Sequence, residues 1–160
     1  MKAIVFIIYL TSLLFVFSCN SNDNSISNKN YEAENIDVGF YLIFLDKDGN
    51  NLLDTNSDKH YNYEDIKLVY GKYTFELTNN KELRLSGYSL VLSGNVDGYI
   101  EEKDSTIQYG TCYLYLSPTD IDTIYTEATD YHPNVYLSKV VYNSELVYEL
   151  GDDRHLTIVK

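Results

Sequence analysis

From residue 38 onward the chain is a succession of short runs in which apolar or aromatic residues alternate with polar ones, and no stretch sustains a 3.6-residue period. Successive side chains of an extended chain point to opposite faces, so this alternation buries one face of a strand and wets the other. VGFYLIFL at 38–45 is β-branched and aromatic and is closed by the turn-forming DKDGNN, so it reads as a largely buried strand. DIKLVY places Ile66, Leu68 and Tyr70 on one face, and Gly71 with Lys72 offers a tight turn into YTFEL, where Tyr73, Phe75 and Leu77 alternate. KELRL and YSLVL follow, interrupted at Ser86 and Gly87 by what reads as a bulge or corner in one bent strand. TCYLYL, DTIYTEA, VYLSKVVY, ELVYEL and RHLTIV complete the set, with Asn143 and Ser144 as a two-residue hairpin turn. Roughly nine strands with turn residues about every 8 to 12 positions predict an all-β fold. The expected architecture is an antiparallel β-sandwich, immunoglobulin-like or related, with a partly open β-barrel as the alternative.

The first 18 residues obey a different rule. A single cation, Lys2, precedes an apolar run over 3–17 broken by Thr11 and Ser12, and the small Ser18 ends it. That order is the one a secretory signal needs. The run falls short of the roughly 18 to 20 apolar residues that span a bilayer, and no Lys or Arg cluster follows to stop transfer. VFSC at 16–19 resembles a bacterial lipobox, which implies cleavage ahead of Cys19 and acylation of its thiol. Several acyl chains on one residue anchor stably, since each buried methylene contributes about 0.8 kcal/mol and one chain alone holds only marginally. The other reading is an ordinary secreted protein with an incidental cysteine near its cleavage site. The expected organisation is a signal peptide at 1–18, an Asn- and Ser-rich tether at 19–35 and one β-domain at 36–160. The expected address is the outer membrane, held by lipid. Only Asp23 is acidic among the first residues after Cys19, so the periplasmic and cell-surface faces both stay open.

About 125 residues suffice for one domain with a real core. Once Cys19 carries lipid, Cys112 has no partner for a disulfide, and its place in YGTCYLYL marks it as a buried thiol. The chain has a net charge of −12, which repels nucleic-acid phosphate and anionic lipid and offers no basic patch, so nucleic acid is not an expected partner.

The stretch FLDKDGNNLLDTNSDKHYNYEDIKLVY, with SPTDIDTIYTE and KVVYNSELVYE, resembles small Bacteroidota lipoproteins of unassigned function. Such proteins place a D-x-x-G-x-x-L-L-D turn after the first strand and close with a hairpin in which Gly is usual where this chain has Ser144. The resemblance spans nearly the whole mature domain and implies a β-sandwich without implying an activity.

Four groups of residues bear on chemistry. Asp46, Asp48 and Asn50, with Asp54 nearby, resemble the first half of an EF-hand loop. The Gly comes at the fourth position instead of the sixth, and Ser57 stands where the bidentate Glu belongs. A solvated Asp-Gly turn is therefore preferred, with Ca²⁺ as the alternative and no other cofactor expected. His60, His132 and His155 occupy unrelated contexts. The carboxylate pairs Glu101 with Glu102, Asp120 with Asp122, and Asp152 with Asp153 give no sign of the raised pKa a general acid needs. Among seventeen tyrosines, Tyr61, Tyr63, Tyr125 and Tyr131 stand out as ligand contacts, because a flat ring with a polar tip suits sugars and proteins. Three functions follow in order of preference: a binding module for glycan, peptide or protein; a structural or accessory subunit of an envelope complex; and a carboxylate-dependent hydrolase such as a glycoside hydrolase.

Overall fold

The computed structural model describes residues 35–77 and 83–160; the signal segment, Cys19, the tether up to residue 34 and residues 81 and 82 of KELRL lie outside them. Twelve strands and no helix occur among the described residues. They are β1 (Asn35–Asp37), β2 (Gly39–Leu45), β3 (Lys67–Tyr70), β4 (Tyr73–Glu76), β5 (Leu83–Ser86) and β6 (Ser89–Ser93). After these come β7 (Gly98–Glu101), β8 (Thr106–Tyr115), β9 (Ile121–Asp130), β10 (Asn134–Tyr142), β11 (Glu145–Glu149) and β12 (His155–Val159). The larger sheet runs β1-β10-β9-β8-β3-β4, with β11 also on β10 and β7 also on β8; the smaller runs β12-β2-β6-β5. The larger one curls as a half-barrel beside the smaller, an arrangement that fits a sandwich or a partly open barrel.

Alternation settles which face of each strand is inside. Phe40, Leu42 and Phe44 of β2 are buried, while Tyr41, Ile43 and Leu45 between them are only half-buried. Cys112 and Leu114 of β8, Ile124 of β9 and Leu137 with Val140 of β10 meet them in one cluster. Cys112 is buried there, and burial pushes its thiol up to about 12, far from the thiolate a nucleophile requires. The loop 46–66 contributes too, since Leu52, Leu53 and Ile66 turn inward and close one end of the core.

The strand count differs from the sequence expectation at three places. Ser86 and Gly87 do not form a bulge: Ser86 pairs with Ser89, so Gly87 and Tyr88 are a two-residue hairpin turn and one bent strand becomes β5 and β6. Gly87 has φ +59°, a conformation other residues reach only at a cost. The added strands β1 and β7 have no buried residue, so neither carries an alternating signal. At Asn143 and Ser144, φ of 48° and 72° gives the two-residue turn that the sequence led one to expect. Most pairings are antiparallel, but β1 lies parallel to β10 and β12 parallel to β2.

Candidate functional site: an aromatic groove at the end of the sandwich

The hairpin β3–β4 turns at Gly71, whose φ is +54°. Tyr70 then stands opposite Tyr73 and Leu68 opposite Phe75, so all four share one face of the ladder. Leu68 is fully buried, whereas Tyr73 is 55% exposed. The row therefore begins in the core and ends in solvent, where the inner face of an edge hairpin runs past its cover. The Tyr73 and Phe75 rings lie side by side, 6.5 Å apart and 31° from parallel, and Lys72 Nζ sits 5.4 Å from the Tyr73 ring.

Across from these rings runs the loop 94–97, which is held at several points. Gly94 N–H donates to Val38 O at 3.1 Å and Asp97 N–H to Tyr109 O at 2.6 Å. Thr111 N–H donates to Asp97 Oδ2 at 2.7 Å, and the Tyr70 hydroxyl donates to Val96 O. Burial, with the neighbouring Asp97 carboxylate, keeps that hydroxyl protonated by raising its pKa. Beneath the loop lies Gly110 of β8, so close that a Cβ there would stand 2.3 Å from Asn95 O. Tyr70, Tyr73 and Phe75 on one side and Ser93, Gly94, Asn95 and Val96 on the other border a shallow, open groove of about 530 Å³. Its volume falls within the ordinary range for ligand sites, roughly 300–1,000 Å³, and its lining is mostly apolar with a few polar groups.

The tyrosines singled out from the sequence lie elsewhere and are not gathered into one patch. Tyr61 and Tyr63 pack against the core: Tyr61 meets Phe44 edge-on and donates its hydroxyl to Asp120 Oδ2 at 2.6 Å, while Tyr63 donates to Leu53 O. Tyr125 lies on the outer face of β9, between the buried Ile124 and Thr126, with Tyr109 beside it. Its hydroxyl donates to Glu127 Oε1 at 2.8 Å, and burial followed by that carboxylate pushes it up to about 12. Tyr131 is exposed in the turn that joins β9 to β10.

The turn at 46–54 is organised by its own groups. Asp46 Oδ1 accepts from the Asp48 and Asn50 N–H groups at 2.9 Å each, and the Asn50 amide reaches both Asp46 oxygens. Lys59 Nζ bridges Asp46 Oδ2 at 3.3 Å and Asp48 Oδ2 at 3.4 Å, while Asp54 Oδ1 accepts from Asn56 N–H. A polar cleft of about 570 Å³ that includes Asp48, Asn50 and Asp54 opens beside them. Among the described residues no three His, Cys, Asp or Glu side chains form a metal-holding group. The hydrogen bonds from Asn50, aided by Asp48 and Lys59, bring the Asp46 pKa down from 3.8 to about 2. A lowered folded-state pKa adds stability that is present above the ordinary value and lost as pH falls through the folded one. Asp46→Asn is therefore expected to melt lower than the parent at neutral pH, with the gap closing between about pH 4 and pH 2. Thermal melts across that range, read by circular dichroism, check this; a gap independent of pH would refute it.

The histidines have local roles. His60 Nδ1 lies 2.7 Å from Ser57 O, and His155 stacks on Tyr41 at 4.4 Å with Asp153 3.0 Å from its Nδ1. His132 sits in the β9–β10 turn beside Tyr131. The other carboxylate pairs serve turns: Glu102 Oε2 accepts from the Ser105 hydroxyl and Asp152 Oδ2 from Glu149 N–H. Asp120 and Asp122 share the Lys160 ammonium, at 2.8 and 2.5 Å. Burial works to raise the Asp120 carboxyl, but Lys160 and the Tyr61 hydroxyl outweigh it and hold the pKa below the usual carboxylate value.

Sequence reasoning missed Tyr70, Tyr73 and Phe75 as a site because their alternation reads as strand packing. The available signal was charge: Lys72 and Glu76 flank the rings of a four-residue strand, as suits an edge. Comparison with known proteins finds no matching family model, no matching curated protein and no matching solved structure.

Proposed function

We propose that this chain is a lipid-anchored envelope protein of the outer membrane, similar to the small Bacteroidota lipoproteins, and that it acts as a non-enzymatic binding module. The tether carries the β-domain away from the bilayer, and the domain offers its aromatic groove to a glycan, peptide or protein. The observation that carries this reading is the groove itself, where three rings of one hairpin face a loop that is already tied down. Leaving the exposed Tyr73 ring in water forgoes roughly 25 cal/mol for each Å² of apolar surface, so a bound partner that covers it gains that term.

A second reading, an accessory subunit, draws on the sheet edges that carry no further strand among the described residues. β12 borders the smaller sheet, and a groove of about 380 Å³ beside it is lined by Val147 of β11 and by Thr157, Ile158 and Val159. Exposed Leu146 and Val159 flank the same region. Edges of this kind accept a strand from another chain.

Anchoring and capture are tested together in cells. Cys19→Ala is expected to abolish incorporation of labelled palmitate, and to move the protein from the membrane fraction into the soluble fraction or leave it as a precursor. Palmitate incorporation unchanged by Cys19→Ala would remove the anchor from the proposal. Binding of envelope proteins or glycans by the detergent-solubilised full chain, weakened by Tyr73→Ala, is the expected sign of capture; binding untouched by that change would move the module's site elsewhere.

A further inference from the structure

We infer that β12 is a self-association edge, along which two copies of this chain pair antiparallel about Thr157 and join their smaller sheets into one. This goes beyond the binding-module reading and uses none of the residues of the aromatic groove. Six strands have a neighbour on one side only among the described residues: β1, β4, β5, β7, β11 and β12. Such an edge is a template for another chain, and charge, proline or a bulge ordinarily blunts it. The first five each hold a charge within the strand: Asp37 in β1, Glu76 in β4, Arg84 in β5, Glu101 in β7, and Glu145 with Glu149 in β11. β11 also has a register shift opposite Val140 and Val141. β12 has no Asp, Glu, Lys, Arg or Pro, and its ladder with β2 runs from 155 to 159 without a shift.

The main chain of β12 is open on its outer side. Tyr41 N–H donates to Arg154 O and Lys160 N–H to Leu45 O, both at 2.8 Å. Bonding to one neighbour alternates along a strand, so Leu156 and Ile158 also face β2, and the N–H and C=O groups of His155, Thr157 and Val159 point away from it. Asp153 Oδ1 accepts the His155 N–H at 3.0 Å and leaves the others for a partner. A groove of about 380 Å³ separates Val147 of β11 from residues 157–160, so β11 stands off from this edge.

A second copy is selected by what the pairing brings together. About Thr157, antiparallel pairing sets Thr157 against Thr157, His155 against Val159 on the exposed face, and Leu156 against Ile158 on the inner face. Each Thr157 N–H donates to Thr157 O of the other copy, and each Val159 N–H to His155 O. Threonine pairs and apolar pairs stabilise a ladder, whereas like charges directly opposite destabilise it. Just past the strand Arg154 meets Lys160, but Asp37 already neutralises the one, and Asp120 with Asp122 the other. Self-pairing of β11 about Val147 would instead oppose Glu145 to Glu149. With a net charge of −12, two copies repel over most of their surface, and the uncharged edge is where they can approach. The strand that fits it is uncharged and apolar at alternate positions, and β12 is itself such a strand.

A seam this short buries less than the about 800 Å² per partner of a standard interface, so a dissociation constant on the order of 10–100 μM is expected. The test is sedimentation equilibrium of the full chain in density-matched detergent micelles. A monomer–dimer equilibrium should appear and tighten roughly threefold or more between about 0.1 M and 1 M NaCl, because screening relieves the repulsion between two acidic copies. Thr157→Lys, at an exposed position, should weaken it by roughly tenfold or more. Ile100→Lys, exposed on β7, and Tyr73→Ala in the groove should leave it unchanged. Thr157→Cys under a mild oxidant should give a disulfide-linked dimer, since facing residues of a hydrogen-bonded antiparallel pair lie about 5.5 Å apart at Cα, within disulfide reach. Neither the parent nor Ile100→Cys should link under the same conditions. Circular dichroism confirms that each variant is folded. A chain that stays monomeric well above that concentration range, with no Thr157→Cys link, would overturn the inference and leave the binding-module reading standing. A dimer indifferent to Thr157→Lys, linked equally through Ile100→Cys, or weakened by salt would overturn its place on β12. A monomer that captures a different envelope protein in a Thr157-dependent way would overturn the second copy as the occupant of the edge.

Discussion

Gly110→Ala is expected to unfold part of the molecule or shift the loop 94–97, with a stability loss of roughly 3 kcal/mol, the upper end of ordinary overpacking costs. The new methyl carbon would lie 2.3 Å from Asn95 O, 2.5 Å from Asn95 C and 3.0 Å from Val96 N. All three are main-chain atoms, so no side-chain rotation makes room. The loop is also hydrogen-bonded on both flanks, through Gly94 to Val38 and through Asp97 to Tyr109 and Thr111, and cannot lift without giving up those bonds. Asn95→Gly should accordingly fail to rescue the variant. Urea denaturation measures the loss, and the same preparation should lose ligand capture, because the loop is the far wall of the groove. A Gly110→Ala protein as stable as the parent would mean that the loop does not rest on β8 as described.

The fold was legible wherever a strand has one wet face. Phe40, Leu42 and Phe44 announce β2, and Asn143 with Ser144 announces its turn, because period and turn chemistry are local properties. What failed to register is what is not local. The parallel pairing of β12 with β2 joins segments more than a hundred residues apart, and no feature of either segment names the other. β1 and β7 stayed hidden because a strand without a buried face has no alternation to show.

The site was legible only in its ingredients. Tyr61 and Tyr63 lie in a polar loop and look exposed in the sequence, but Leu52 and Leu53 pull that loop onto the core and carry the rings with them. Tyr70, Tyr73 and Phe75 look like strand packing, and Tyr70 and Phe75 do pack against the core, but β4 ends the larger sheet and leaves Tyr73 exposed. Exposure of a tyrosine is decided by what lies across from it, which is a property of topology. The same holds for Asp120 and Asp122: their spacing was visible, their common cation 40 and 38 residues away was not.

That cation supports the other large effect. Lys160 Nζ lies 2.5 Å from Asp122 Oδ2, and the Asp122 side chain is only 3% exposed. The Tyr142 hydroxyl also donates to Asp122 Oδ2, the Asn143 amide donates to Oδ1 at 2.5 Å, and Tyr61 closes the set through Asp120. Lys160 belongs to the smaller sheet's edge, where its N–H donates to Leu45 O at 2.8 Å, while Asp122 and Tyr142 belong to the larger sheet. The network thus ties the two sheets at one end through charge. Burying both charges costs much of what their attraction returns, so the pair adds modestly to stability when intact and costs heavily when broken. Lys160→Met keeps the apolar stem and removes the ammonium, which leaves Asp122 buried without a counter-ion. The expected loss is about 3–5 kcal/mol in urea denaturation. Adding Asp122→Asn removes the stranded charge, so the double variant should be more stable than the two single losses combined, by roughly 0.5–3 kcal/mol of coupling. A Lys160→Met loss below about 1 kcal/mol, with additive behaviour in the double variant, would mark the contact as an ordinary solvated ion pair and leave the two sheets joined by their apolar core alone.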